Sequence, residues 1–411
     1  MRTVLAISLA SLAGIGLAGC DLNVSNPSVI DATTFNPNTD GFTLSMSAQT
    51  NLFQAFQAIA LNGGFISDEL WTGAIRPQTN HINSRNFVGT DDINVSFFAP
   101  LSLALAGNVN AVRVLAAASG ASSDSNFARV SMNAGYAFEL SAETMCASDE
   151  QKGPKLTVTQ LLDSAVTHFT KAIAVAQAAG AAAMVQESQV GLARAYLQLG
   201  EYANATTTAG SVDPGFVANE INSANPATAL TLGNAMWTTQ AATQLVVPAM
   251  YRHLGDPRVP SDSNGSPGCP TTNGIPCVVQ AKYSGYGDPI RLASGLEAQF
   301  IAAEAQAHGG NTAPALALIT SQRATYMPDS AYTGGVDTLS VITELLNQRA
   351  RQFWMEGKKL GDIRRNPSVS LSAILTDPVG APYLGPTGGN FGNEFCAPIP
   401  PEEVSANPNL Q

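Results

Sequence analysis

Charge is scarce in this chain. Asp, Glu, Lys and Arg supply 12% of its 411 residues, about half the ~25% of an average globular domain. Twenty Lys+Arg stand against 31 Asp+Glu for a net charge of −11, and nowhere do basic residues run together. A nucleic-acid partner is excluded on that ground, since neutralising phosphates takes clustered Lys and Arg. With 45% hydrophobic residues the chain has apolar surface to bury and little self-repulsion, which excludes intrinsic disorder. Long hydrophobic runs are nearly absent: the apolar residues are mostly Ala scattered among Ser, Thr, Asn and Gln, and the one continuous run lies at the N-terminus. The sequence has no G-x-S-x-G elbow, no Walker loop, no H-E-x-x-H and no dinucleotide fingerprint. Its four histidines (His81, His168, His253, His308) are isolated from one another. No metal and no cofactor is expected.

The N-terminal run has the layout of an export signal. Arg2 is a minimal positive region, and Val4 to Ala18 is an apolar stretch of signal-peptide length, short for a membrane span. It ends Leu17-Ala18-Gly19-Cys20, which resembles a bacterial lipobox. Small residues fit the peptidase, and the Cys20 thiol receives the diacylglycerol before cleavage. An ordinary secretory signal with an incidental cysteine is the plainer alternative, and it leaves the four-residue match unexplained. Residues 1–19 are expected to be removed, leaving a lipid-anchored tether over 20–40, rich in Asn, Pro, Ser and Thr, and a single body over 41–411. Two or three acyl chains hold such a protein stably, so its membrane contact is expected through the anchor alone.

Export places the remaining thiols, Cys146, Cys269, Cys277 and Cys396, in an oxidising compartment, where an even number favours disulfides. Four cysteines allow three pairings. Cys269 and Cys277 bracket a turn-rich loop that closes easily on itself. That pairing leaves Cys146 with Cys396, a long-range staple. A zinc site competes poorly, because the spacings contain no C-x-x-C pair.

The body reads as mostly α. Phe42, Met46, Leu52, Phe53, Phe56 and Ile59 recur as a core-facing helix requires, with Gly63-Gly64 as its expected end. A loop-rich stretch to about residue 92 follows, then helical segments at about 93–118, 124–147 and 156–180. Within the repeat region of about 124–210, Leu192-Ala193-Arg-Ala195-Tyr196-Leu-Gln-Leu199-Gly200-Glu-Tyr202-Ala-Asn-Ala205 matches a tetratricopeptide repeat. Small Ala193 and Ala205 sit where paired helices approach closely, and Leu199-Gly200 ends the first helix. Ala165, Phe169 and Ala172 carry the second-helix spacing of a preceding repeat. A second repeat region, about 296–357, holds Leu296 to Ala307 and Pro314 to Ala324 as one helix pair. A further pair is placed around Val341 to Gly357. A generic helical bundle is the alternative. Between the repeats lies an insertion, about 208–295, rich in Gly, Pro, Asn, Ser and Tyr; so much irregular chain points to a functional surface. A second irregular region spans 366–411.

Three C-terminal features align with the lipobox and the repeats. Gln299-Phe300-Ile301-Ala-Ala-Glu304-Ala305 resembles the LI-x-AEA helix of the SusD/RagB family of outer-membrane nutrient-uptake lipoproteins. Arg349-Ala-Arg351-Gln-Phe353-Trp354-Met-Glu356-Gly357-Lys358-Lys-Leu360-Gly-Asp362-Ile-Arg364-Arg365 looks like that family's ER-x-x-E-L-x-x-E-G-x-R-x-x-D-L-x-R signature, with Gln348 in place of the first Glu. Pro398-Ile399-Pro400-x-x-Glu403 followed by Asn407-Pro408-Asn409 is similar to its terminal PIP-x-x-E…NPN. The fold implied is a tetratricopeptide-type helical scaffold with long loop insertions. Read on their own, the alternating charges of 349–365 beside Phe353, Trp354 and Leu360 are structural, tying a helix end to the following turn.

The resemblance implies a protein on the bacterial outer membrane, facing the cell exterior, that binds an oligosaccharide or peptide and delivers it to a SusC-like TonB-dependent transporter. It implies a binder and not an enzyme. Sugar capture needs aromatic faces flanked by polar groups. The candidates are Trp71, with Arg76 and Asn80 nearby in the loop after the first helix, and Tyr283 and Tyr286 in the insertion. They are expected to be exposed together on one face. Trp237 and Trp354 are assigned to the core. Two further functions are weighed. A carboxylate-dependent glycosidase would draw on Asp91-Asp92 or Glu402-Glu403, but adjacent residues point apart where opposed carboxyls are needed. A periplasmic protein-binding scaffold is the other, since repeat surfaces often bind proteins.

Overall fold

The computed structural model describes residues 35–88, 91–225, 227–228, 232–262 and 277–410. The expected leader, Cys20, the first part of the tether and Cys269 lie outside them. The first helix, α1 (Gly41–Ile66), buries Leu52, Ala55, Phe56 and Ile59, as their spacing predicts. It does not stop at Gly63-Gly64. An added Cβ on Gly64 would stand 3.2 Å from the Leu70 side chain, so the glycines let the helix pack closely while Phe65 and Ile66 reach the core. Asp68, at φ 58°, then turns the chain into β1 (Trp71–Thr72) and α2 (Pro77–Asn83).

A π-turn over Asn94–Phe98 leads directly into α3 (Ala99–Leu115). Asn94–Leu115, 22 residues of mean hydropathy 1.5, is long and apolar enough to cross a membrane. From the sequence one continuous apolar run is expected, at the N-terminus, and membrane contact through the anchor alone; this helix is a second apolar stretch, interrupted by Ser, Gly and Asn. In this fold Leu101, Leu105 and Leu115 are buried, and the helix packs on α1 and on α4 (Ser125–Thr144). One face of the segment is spent on the protein core, while Val95, Leu103 and Val114 on the other are exposed.

From α4 the chain folds as stacked helices: α5 (Val158–Ala178), α6 (Ala182–Leu199) and α7 (Tyr202–Ala209), each packed on its predecessor and turned back by a short connection. Gly200, at φ 76°, makes the turn after Leu199 that a side chain would strain. Ala165, Phe169, Ala172, Ala193 and Ala205 are all buried. The closest approach falls at Gly191, two residues before the expected Ala193. A Cβ on Gly191 would stand 2.3 Å from the Phe169 ring, and one on Gly135 of α4 would stand 2.7 Å from its other atoms. Phe169 is thus clamped between two glycines, with Tyr136 edge-on at 4.8 Å.

The insertion supplies β2 (Val217–Glu220), α8 (Ala235–Ala241), β3 (Leu245–Val246), β4 (Ser261–Asp262), β5 (Val279–Gln280) and β6 (Ile290–Ser294). The pairings are antiparallel, β1 with β3, β2 with β6 and β4 with β5. Stacking resumes with α9 (Gly295–His308) and α10 (Ala313–Tyr326), as expected, then α11 (Thr338–Gln352). Residues 341–357 are not a helix pair. Met355 and Gly357 take positive φ, 58° and 68°, which ends α11 in a turn before the later α12 (Lys359–Arg365), and α11 packs mainly on α9 and α10. The chain closes with the short α13 (Pro401–Ala406).

The expected Cys146–Cys396 disulfide is present and joins the end of α4 to the C-terminal region across 250 positions. Cys277 is in a disulfide as well; its expected partner Cys269 lies outside the described residues.

Candidate binding site

The charged signature at 349–365 builds an interior ion network. Glu297 of α9 receives Arg194 of α6 at 2.7 Å, Lys358 at 3.0 Å and Arg349 of α11 at 3.4 Å. Burial alone would raise its pKa, but these three cations hold it down at about 2. Arg349 also grips Asp362 at 2.9 Å, and Arg365 joins Asp362 to Glu304, each at 2.7 Å. Lys282 and Arg291 of the insertion both reach Glu356, at 2.7 and 2.9 Å. The network locks the insertion and the last helices onto the repeat stack. Breaking one partner of such a buried set leaves an uncompensated charge, at about 3–5 kcal/mol. Trp354 is buried here as expected, its indole N–H donating to the Glu69 carbonyl at 2.9 Å.

The aromatic platform expected around Trp71 does not form. Trp71 is 3% exposed. Its indole N–H donates to Asp68 at 3.2 Å, and its ring packs on Tyr383 and Phe391 at 6.1 and 6.2 Å. Asn80 is buried too: its amide donates to the Ala74 and Arg76 carbonyls, and its oxygen accepts from the Tyr383 hydroxyl at 2.8 Å. Asp68 beneath them is buried, which raises its pKa to about 7 despite Arg85 at 3.2 Å. Tyr283 is buried in the main core, apart from the Trp71 cluster, with its hydroxyl donating to the Met355 carbonyl at 3.2 Å. Of the five candidates only Arg76 is exposed and Tyr286 half-buried. The C-terminal loop carrying Tyr383 and Phe391 covers the stretch after α1.

A different surface gathers around Tyr286. Its carbonyl accepts from the Asn234 N–H at 2.8 Å, and the Asn234 side chain caps α8 by accepting from the Trp237 N–H at 3.0 Å. Trp237, assigned to the core from sequence, packs against the main core and is half-buried on this short helix, and Asn234 ties its backbone to that of Tyr286. Asn222 and Asn234 both donate to the Asp288 carbonyl, at 2.7 and 3.0 Å. Gln57 of α1 donates to Asn222 and accepts from the Ala235 N–H, each at 2.7 Å. Buried amides thus hold the 284–288 turn, α8 and α1 in fixed relation. Beside them, α1 and the end of β2 enclose a recess of about 240 Å³ lined by Phe53, Gln57, Glu220, Ile221, Asn222 and Leu232 among others. Trp237, Gln57 and Glu220 were not legible as site residues, because nothing local marks them.

The architecture has counterparts among solved structures. A SusD superfamily protein from Parabacteroides distasonis matches with a TM-score of 0.69 at 11% identity, over 92% of this chain and 99% of that one. The chain has the SusD fold. A SusD-like carbohydrate binding protein from Bacteroides vulgatus matches with a TM-score of 0.67 at 13% identity, over 92% and 98% of the two chains. A SusD superfamily protein from Bacteroides thetaiotaomicron gives 0.65 at 13%, over 89% and 98%. No family model and no curated protein matches the sequence. At 11–13% identity the fold is shared while the residues filling it are almost entirely different.

Proposed function

We propose that this protein is a lipid-anchored, cell-surface nutrient-binding protein that captures an oligosaccharide and passes it to a SusC-like TonB-dependent transporter. The observation that carries the reading is the SusD fold, matched over 92% of the chain by a protein from Bacteroides vulgatus named as carbohydrate-binding. The Leu17-Ala18-Gly19-Cys20 sequence supports the anchor and, with it, the outer-membrane location. The surface around Asn234 supports the ligand class: half-buried Trp237 and Tyr286 offer aromatic faces to sugar C–H groups, and the polar 284–288 turn offers partners to hydroxyls. Rigid support by buried amides suits a site that binds without rearranging.

The test is oligosaccharide binding by the soluble Cys20→Ser protein on a glycan array, followed by calorimetry. Trp237→Ala and Tyr286→Ala should each weaken binding several-fold, as loss of about 0.5–1.5 kcal/mol per aromatic contact implies, with the melting temperature kept. Ligand should be recovered intact after prolonged incubation. Steady depletion of the glycan would return the glycosidase reading, and failure to bind any oligosaccharide would sink the proposal.

A further inference from the structure

Glu220 stands apart from every other buried acid in this protein. Glu297, Glu304, Glu356, Asp256 and Asp362 are each within 3 Å of a Lys or Arg nitrogen. Glu220 is fully buried, yet among the described residues neither of its oxygens has a hydrogen-bond partner, and no other buried carboxylate leaves both oxygens unmatched. Buried polar groups are almost always satisfied, and an unmatched one costs about 1–3 kcal/mol, more when charged. The side chain is also one wall of the recess between α1 and β2. We propose that this recess is a binding site for a small organic ammonium ion, which pairs with Glu220.

The backbone explains how an acid came to face inward. The β2–β6 ladder shifts register between Ala218 and Asn219. The extra residue, Leu292, lies on the β6 side, and β2 alternates without a break: Val217, Asn219 and Ile221 face out, Val217 and Ile221 being 54% and 81% exposed, while Glu220 and Asn222 face in. Gln57 and Asn222 are committed to Ala235 and Asp288, so Glu220 is the unspent acceptor of the cavity. Among the described residues no Lys, Arg or His lines it. Among the described residues, then, none supplies a cation to Glu220, and the proposed partner is a ligand's. Phe53, Ile221 and Leu232 suit the carbon portion of such a ligand, and an aromatic wall also favours an ammonium. At about 240 Å³ the recess is smaller than the roughly 300–1,000 Å³ of drug-sized pockets, which selects a small amine.

Burial pushes the Glu220 carboxyl well above the usual carboxylate range, and Gln57 lies close enough to moderate this without closing a hydrogen bond. The groups around it do not compensate. α1 carries no charged side chain, Arg291 of β6 is held by Glu356 at 2.9 Å, the Tyr283 hydroxyl is spent on Met355, and the Asp288 carboxylate is engaged by Ser284 and Gly285. Burial thus favours the protonated acid in the absence of a cation, and an arriving ammonium, which favours the carboxylate, shifts the group toward proton release.

This assignment goes beyond the glycan reading and does not depend on it. Titration calorimetry with n-butylammonium at pH 7, in two buffers of different ionisation enthalpy, should show binding with net proton release. The isostere n-butanol should bind at least about tenfold more weakly, without proton release, and Glu220→Gln should lose ammonium binding by at least about the same factor, the worth of one charge-assisted contact. Absence of butylammonium binding, equal binding by Glu220→Gln, or binding without proton release overturns the proposal. Should Glu220→Gln fail to fold, the amine–alcohol contrast and the proton count on the unaltered protein decide it. Trp237→Ala and Tyr286→Ala should leave butylammonium binding unchanged, so failure here and failure of glycan capture are separate results.

Discussion

Replacing Gly191 by Ala tests the packing of the repeat stack at its tightest point. In an exposed helix this change stabilises by about 1 kcal/mol, because Gly loses more backbone entropy on folding. Here the new Cβ would stand 2.3, 2.5 and 2.9 Å from three atoms of the Phe169 ring, inside any real van der Waals contact. The ring cannot retreat: Gly135 lies against it at a position where a Cβ would be 2.7 Å away, and Tyr136 stands edge-on. α5 or α6 must therefore shift. Overpacking of a well-packed core costs about 1–3 kcal/mol, and a ring held on several sides places this case at the upper end. After the propensity gain, Gly191→Ala should destabilise by about 2 kcal/mol, read as a lower urea midpoint with unchanged slope. Phe169→Leu removes the ring atoms that clash. In that background Gly191→Ala should become neutral or stabilising, a coupling of 1 kcal/mol or more by double-mutant cycle. Stabilisation by Gly191→Ala in the otherwise unaltered protein would refute the clamp.

Trp71→Ala should destabilise by about 3–5 kcal/mol, the range for large aromatic truncations in cores, and leave oligosaccharide binding per folded molecule unchanged; thermal melts beside calorimetry check both. Replacing Cys146 and Cys396 together by Ser should cost about 5–6 kcal/mol in the chain-entropy model for a 250-residue loop, visible as a lowered melting temperature that reductant then changes only through the bridge at Cys277. Glu69 is buried, which raises its pKa to about 7 against the pull of Lys359. Its folded value lies above its unfolded one, so the stability it contributes is complete below about pH 4.5 and is lost as pH rises through 7. Glu69→Gln should therefore flatten the fall in melting temperature between pH 5 and 8; an unchanged slope would count against it. Cys20→Ser should release the protein from membranes in cells lacking the transporter, because the Asn94–Leu115 helix is packed into the core; retention in the membrane fraction would contradict this.

The helical repeats could be read from the chain because their determinants are local. Phe169, Ala193, Gly200 and Ala205 act within a turn or two of their own helix, where a 3.6-residue period and a left-handed glycine leave a visible mark. The charges of 349–365 were legible as structural for a similar reason, since alternating signs beside aromatics describe a helix end, although their partners Arg194 and Glu297 were not visible. Trp71 and Asn80 were misjudged because what buries them, Tyr383 and Phe391, lies about 300 positions away in sequence; exposure belongs to a pair of surfaces, not to one residue. Trp237 does pack against the main core, as its apolar helical face predicts, but only half-buried, which the sequence of a seven-residue helix does not reveal. Glu220 shows the limit most sharply. Its neighbours Val217 and Ile221 are the residues that composition would send inward, but side chains alternate strictly along a strand and the ladder with β6 sets the phase. Local periodicity determined which segments are helices, and long-range register and loop coverage alone decided which side chains face water.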